Sequence, residues 1–285
     1  MRNKAAAVAT MVRLLEHTRY EVLPTASTEE TVLEHVGVDE VVTITASPSK
    51  GLEATLSLAE RLTGHGYAVV PHLAARMVRD RAELAEICDR LTGKGVTRVF
   101  VPGGDADTVG AYPDALSLLE DLAALGRPFA HVGITGYPES HPTIHDDLTV
   151  QSMWDKRRYA THIVSNLTFD PKVLAGWVRR LRARGVTMPL ILGLPGPVDR
   201  TKLLAMATKI GVGESTRFLA KHKGTFARLA APGGFTGEQF LERCAPALSE
   251  PGAGAEGLHV FTFNQIAATV AWRRELLERL GSPRP

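Results

Sequence analysis

The sequence predicts an α/β fold, a (β/α)8 TIM barrel, and three observations predict it. Short apolar runs alternate with longer amphipathic stretches through most of the chain. The runs are rich in Val, Ile, Leu or Phe, as parallel strands buried on both faces tend to be. Several amphipathic stretches run into a glycine, the residue that most readily takes the left-handed backbone at a helix C-terminus. Eight such units fit a chain of 285 residues. An open doubly wound sheet is the runner-up. No G-x-G-x-x-G follows the first strand, which weakens that reading.

The elements follow in order. Residues 1–19 read as an extra N-terminal amphipathic helix, its apolar run broken by Arg13 and Glu16. Strands are predicted at 20–23, 41–45, 68–73, 98–101, 129–133, 162–166, 190–193 and 259–263. Helical patterns lie between them at 51–63, 81–94, 113–125, 171–184 and 201–210, followed by Gly64, Gly95, Gly126, Gly185 and Gly211. Pro113 and Pro171 suit the first helical position, where a missing N–H costs nothing. The segment 211–254 is longer than one βα connection and predicts an extra helix plus a loop at Pro232-Gly233-Gly234, an extension after strand seven that can distort the barrel. Residues 251–257 read as a flexible linker and 281–285 as a fraying tail. The whole of 1–285 forms a single domain in this reading, with no repeat beyond the βα period.

Composition narrows the function classes. A net charge of +2 with 22% charged residues leaves no basic stripe for nucleic acid. Cys88 and Cys244 lie far apart within helical patterns, so they read as small buried apolar residues and not as a disulfide framework. No apolar stretch approaches the ~20 residues that span a bilayer, and the N-terminus lacks a signal-peptide core. These features predict a soluble, cytoplasmic protein without membrane or nucleic-acid partners, acting on small molecules. The oligomeric state stays open.

In a barrel the reacting groups gather at the C-terminal ends of the strands. Glu21 lies inside the first apolar run, where burial would raise its pKa and suit a general acid. A rim carboxylate paired with an arginine satisfies the same pattern. Asp105 closes Val101-Pro102-Gly103-Gly104-Asp105, either beside a ligand that approaches the glycines or as a helix cap. His72 follows Pro71 near the end of strand three, as a ligand contact or a packed histidine. Asn166 ends strand six, where an amide can pair with a heterocycle edge or simply start a loop. The run Gly136-Tyr137-Pro138-Glu139-Ser140-His141-Pro142 is a stiff loop, because two prolines fix φ around a tyrosine, an acid and a histidine. Gly193-Leu194-Pro195-Gly196-Pro197 and Gly211-Val212-Gly213-Glu214-Ser215 are glycine-rich turns that could cradle phosphate or only turn the chain. His141, His145, Asp146 and Asp147 match no metal-ligand spacing, so no metal site is expected. Arg179-Arg180-Leu181-Arg182-Ala183-Arg184 ends a helix and complements its dipole.

Several of these segments resemble the methylenetetrahydrofolate reductase family, in the same order along the chain. Tyr20-Glu21-Val22-Leu23-Pro24 is similar to the family's F-E-x-x-P, Val41–Thr45 to its second strand, and Pro71-His72-Leu73 to its P-H-L. Gly104-Asp105 is similar to its G-D, the Gly136–Pro142 loop to its G/A-Y-P-E-x-H-P, and Phe261-Thr262-Phe263-Asn264 to its closing F-Y-T-L-N. Asn166 stands where the family has a pterin-binding glutamine. There are departures. Gly103 replaces an arginine, Ala46-Ser47-Pro48-Ser49 replaces T-Y-G-A, and Trp154-Asp155 falls near the position of a lysine, with Lys156 one place away. These three positions serve the flavin in the usual enzyme, and losing cations should weaken binding of its phosphates. Gln265 replaces the arginine after the closing Asn.

The resemblance therefore implies a branch without flavin, in which NADH is the cosubstrate and bound FAD is not favoured. It implies reduction of 5,10-methylenetetrahydrofolate to 5-methyltetrahydrofolate in one-carbon metabolism that feeds methionine biosynthesis. Glu21 would be the acid and Asp105 would stabilise the cation. Asn166, Asp105, Phe263 and Asn264 would bind substrate, and His72, Gly104, Tyr137, Glu139 and His141 would wall the nicotinamide. Three rivals stand beside this reading: an FAD-dependent reductase, a metal-dependent barrel hydrolase using His72, His131, His141 or His145, and a non-catalytic folate-binding barrel. No residue places a preference between NADH and NADPH.

Overall fold

In the computed structural model, the described residues are 2–104, 106, 110–138, 146–168, 170–197 and 237–281. Eight parallel strands make one sheet: β1 (Thr18–Val22), β2 (Val41–Ile44), β3 (Ala68–Pro71), β4 (Arg98–Val101), β5 (His131–Gly136), β6 (His162–Ser165), β7 (Leu190–Pro195) and β8 (Ala255–Phe261). Their order is β3-β2-β1-β8-β7-β6-β5-β4. The two ends of that order meet where His72 bridges Phe100, with Leu73 N–H donating to the Phe100 carbonyl at 2.8 Å. This is the predicted TIM barrel.

The helices are α1 (Arg2–Glu16), α2 (Thr28–His35), α3 (Gly51–Gly64), α4 (Arg81–Gly93), α5 (Ala115–Ala124), α6 (Asp146–Lys156), α7 (Pro171–Ala183), α8 (Gly237–Leu248) and α9 (Ile266–Arg279), with a 3-10 turn at Ala75–Met77. Three of them start on an aspartate whose carboxylate accepts a backbone N–H: Asp80 from Glu83, Asp114 from Ser117 and Asp170 from Lys172. Such caps are worth ~1 kcal/mol each. Arg13 donates to the Ala255 carbonyl at 2.6 Å and ties α1 to the start of β8.

Strand parity creates two cores. On β1 the buried Thr18, Tyr20 and Val22 alternate with half-buried Arg19 and Glu21. Tyr20 and Val22 join the large apolar layer between sheet and helices, while Val70, Phe100, Val164 and Ile191 form a separate cluster within the barrel. Period-two geometry thus sends Glu21 away from the helix layer.

Several boundaries move from the predicted ones. β5 runs six residues at 131–136 and not 129–133, and β8 begins at Ala255, four residues before the predicted start. The predicted linker at 251–257 is instead a turn through left-handed Gly252 and Gly254 that enters the strand with Ala255 buried. Pro113 precedes the Asp114 cap and is not the first helical residue, whereas Pro171 is. The glycine turning the chain after α3 is Gly66, not Gly64. The sequence reading did not mark α2. Arg182 does more than face a dipole, since its guanidinium donates to the carbonyls of Ala253, Val186 and Met188. Both cysteines are buried and free. The predicted helix at 201–210, the Pro232-Gly233-Gly234 loop and Gly211–Ser215 lie outside the described residues.

Gly193 shows how tightly the strands approach near the site. A Cβ there would stand 2.1 Å from the Ser165 carbonyl oxygen and 3.0 Å from that of Asn166. Both are backbone atoms and cannot swing aside. Gly193→Ala is therefore expected to cost ~1–3 kcal/mol or more through overpacking, read as a lowered urea midpoint.

Candidate active site

A cavity of about 230 Å³ opens at the C-terminal ends of the strands. Its lining includes Glu21, His72, Phe100, Gly104, Thr135, Tyr137, Asn166, His259 and Phe261. Among the described residues that line it, Glu21 is the sole acid and there is no Lys or Arg.

Glu21 is the focus. Its side chain is 15% exposed, and Oε2 accepts from His259 Nε2 at 2.8 Å. His72 Nε2 stands 3.9 Å from the same oxygen. The backbone is pinned as well, because the Thr262 hydroxyl donates to the Glu21 carbonyl at 2.6 Å. His259 lies between buried Leu258 and Val260 on β8, so parity turns it into the barrel just as it turns Glu21. Sequence reasoning missed His259. Its position two residues before Phe261, on the same strand face, is the signal that could have found it.

His72 is buried, and its Nε2 meets the Thr43 hydroxyl at 2.8 Å while Thr43 also donates to the Val70 carbonyl. Burial, then neighbouring His259, pushes the His72 imidazole well below the usual histidine range. His72 packs edge-on to Phe100 at 4.7 Å, and its ring stacks near that of His259 at 6.2 Å. One ring nitrogen from each histidine and a Glu21 oxygen lie within 4.8 Å of one another.

Asn166 lines the cavity with its Oδ1 accepting from Leu167 N–H at 2.8 Å. Thr135 lines it too, and its hydroxyl is buried with no partner among the described residues. Gly104 holds φ +86, and a Cβ there would come 3.1 Å from the Ala74 Cβ. Gly136 has a packing reason of its own, since a Cβ would stand 2.7 Å from the Trp177 ring. Asp105, Glu139 and His141 lie outside the described residues, as does His145.

Two predicted binding residues are placed elsewhere. Phe261, not Phe263, lines the cavity. Asn264 clamps the β8 end to the β1 end: its Oδ1 accepts from Leu23 N–H at 2.8 Å and its Nδ2 donates to the Leu23 carbonyl at 3.2 Å. Phe263 and Asn264 hold φ 49 and φ 56, backbone strain that this clamp offsets. Asn264→Ala would strand the Leu23 groups and is expected to cost ~1–3 kcal/mol, measured as a drop in melting temperature.

The sequence profile of the methylenetetrahydrofolate reductase family matches residues 29–276. The chain belongs to the methylenetetrahydrofolate reductase family. In fold, this reductase-family chain is similar to an uncharacterized protein from Clostridium thermocellum that binds two copies of 5-methyl-5,6,7,8-tetrahydrofolic acid. The TM-score is 0.62 at 11% identity, with 94% of this chain and 98% of that chain covered. At that identity the likeness shows the fold alone. A second structure, ligand-free tryptophan synthase from M. tuberculosis, reaches a TM-score of 0.49 at 12% identity over 99% of this chain and 96% of that one, too distant to carry an argument. No helix among the described residues of the reductase-family chain is long and apolar enough to cross a membrane.

Proposed function

We propose that this chain reduces 5,10-methylenetetrahydrofolate to 5-methyltetrahydrofolate by direct hydride transfer from NADH in a ternary complex. The observation that carries the reading is Glu21, a largely buried carboxyl group at the end of β1 that lines the cavity and is bonded to His259. Family membership supplies the substrate class, and the folate bound by the Clostridium thermocellum protein agrees with it.

In this mechanism Glu21 starts protonated and gives its proton to N10, which breaks the N10–methylene bond. The positive charge moves to the N5-methylene iminium. Hydride from the nicotinamide closes that cation to a methyl group, and oxidised dinucleotide leaves. A proton from solvent restores Glu21 after product leaves, and His259, 2.8 Å from Oε2, holds the carboxyl group in position between turnovers. The Asn166 amide binds the pterin edge, and Asp105 stabilises the cation. His72, Gly104 and Tyr137 wall the space for the nicotinamide, whose ring must stack on the pterin in attack geometry. Substrate binding by Phe263 and Asn264 then acts through the β8 end that they shape.

Among the described residues, the lining offers no cation to the phosphates of a flavin dinucleotide, which supports the reading without bound FAD. Gly103 stands where the family has an arginine, and a Cβ there would meet none of the described residues within 4 Å. Lys156 ends α6 and does not line the cavity. The testing experiment follows NADH absorbance when methylenetetrahydrofolate meets purified protein first shown to lack flavin. Substrate-dependent oxidation with ternary-complex kinetics is expected. Oxidation that appears only after FAD is added, or a ping-pong pattern, would return the chain to the flavoprotein branch. Tight folate binding without turnover would leave a binding barrel.

A further inference from the structure

We propose that Glu21, His72 and His259 form a binding site for a zinc-type divalent cation, and that a metal held there inhibits the enzyme by taking the Glu21 carboxylate out of use. The inhibition rests on the acid role of Glu21; the metal site does not.

The three groups already converge. The Glu21 oxygen is 2.8 Å from His259 Nε2 and 3.9 Å from His72 Nε2. All three ligand atoms lie within 4.8 Å of one another. A tetrahedral ion with bonds of about 2.0–2.1 Å needs its ligand atoms roughly 3.3 Å apart. The observed separations straddle that value, so shifts below about 1 Å would close the site around an ion.

The support is rigid. His259 is 2% exposed on β8, and His72 is 6% exposed at the bridge that closes the barrel. Ligands on strands keep their positions better than ligands on loops. Coordination leaves no buried group stranded: His72 gives up Thr43, and the Thr43 hydroxyl keeps the Val70 carbonyl at 3.1 Å. The described lining offers a carboxylate and two imidazoles but no Lys or Arg to repel a cation. Two nitrogens and one oxygen favour zinc, cobalt or ferrous iron over magnesium or calcium. The cavity provides the open fourth position. A carboxylate bound to the ion can neither hold nor deliver a proton, so occupancy and acid catalysis exclude each other.

The experiment titrates chelator-stripped, full-length protein with Co²⁺ and follows the visible absorption of four-coordinate cobalt. One equivalent is expected to bind, and added Zn²⁺ should displace it. Affinity should fall at least about tenfold in His72→Ala and His259→Ala. Glu21→Gln, which keeps the shape of the side chain and a partner for His259, should weaken binding by a similar factor and guards against misfolded alanine variants. An absent cobalt band, or equal binding in all three variants, would overturn the site. Stoichiometric Zn²⁺ should also stop NADH oxidation, and a chelator should restore it. Cobalt binding without zinc inhibition would overturn the inhibitory half. Metal-free protein with no turnover would overturn that half together with the reductase reading, while the cobalt titration still decides the site.

Discussion

Glu21→Gln is expected to lower turnover by on the order of 10²–10⁴-fold with little change in fold. Glutamine matches glutamate in size, and its amide oxygen can still accept from His259 Nε2, which now stands 2.8 Å from the carboxylate. What the substitution removes is the proton. Without it the N10 leaving group must depart as an anion, and the iminium that accepts hydride does not form in quantity. Folate affinity should change far less than turnover, because the lost interaction belongs to the transition state and not to binding. The measurement is the steady-state rate of NADH oxidation beside a folate-binding titration. Unaltered turnover would remove Glu21 from the chemistry and leave its burial as a structural matter.

Acid should destabilise the protein through the other end of the barrel interior. Arg19 Nη1 donates to His162 Nε2 at 2.8 Å. A guanidinium only donates, so that nitrogen must be the acceptor and Nδ1 carries the hydrogen toward Thr161 Oγ1 at 2.9 Å. Protonating His162 would set a second cation against Arg19. Burial first, then Arg19, holds the His162 pKa down from 6.5 to about 3. The unfolded chain therefore binds a proton that the folded chain refuses. This contribution to stability is complete above pH 6.5 and is lost progressively as pH falls toward about 3. The loss should reach a few kcal/mol, and His131, shifted downward by burial and by Arg98 and Arg19, adds in the same direction. His162→Asn keeps an acceptor for Arg19 and cannot titrate. Its urea midpoint should fall less steeply between pH 7 and pH 4 than that of the unmodified chain. Parallel slopes for the two proteins would show that acid sensitivity arises elsewhere.

The barrel was legible because its signals are local. Apolar runs such as 98–101 coincide with their strand, and Pro171 opens α7 as its fixed φ predicts. The start of β8 was misplaced for a tertiary reason: Gly252 and Gly254 look like a linker, yet Leu190 N–H donates to the Gly254 carbonyl and draws that turn into the sheet. Glu21, His72, Gly104, Tyr137 and Asn166, singled out by strand-end placement or resemblance, all line the cavity. His259 was not found, because a histidine within an apolar run has no meaning until its partner is known. Asn264 shows the converse, since a motif residue expected at the ligand has its amide engaged with Leu23.

By itself the sequence determined the βα alternation, the burial of Cys88 and Cys244, and the placing of Glu21 within the first strand. These depend on contacts within a few residues or on strand periodicity, which the order of residues encodes directly. Tertiary structure alone decided the rest. The barrel closes at His72 and Phe100, and that closure brings β3 beside a site built from β1 and β8. Glu21 and His259 are 238 residues apart in the chain and 2.8 Å apart in space. No local rule encodes such a separation. It follows from closing a cylinder of eight strands, which makes the first and last strands neighbours and turns their inward side chains onto one another.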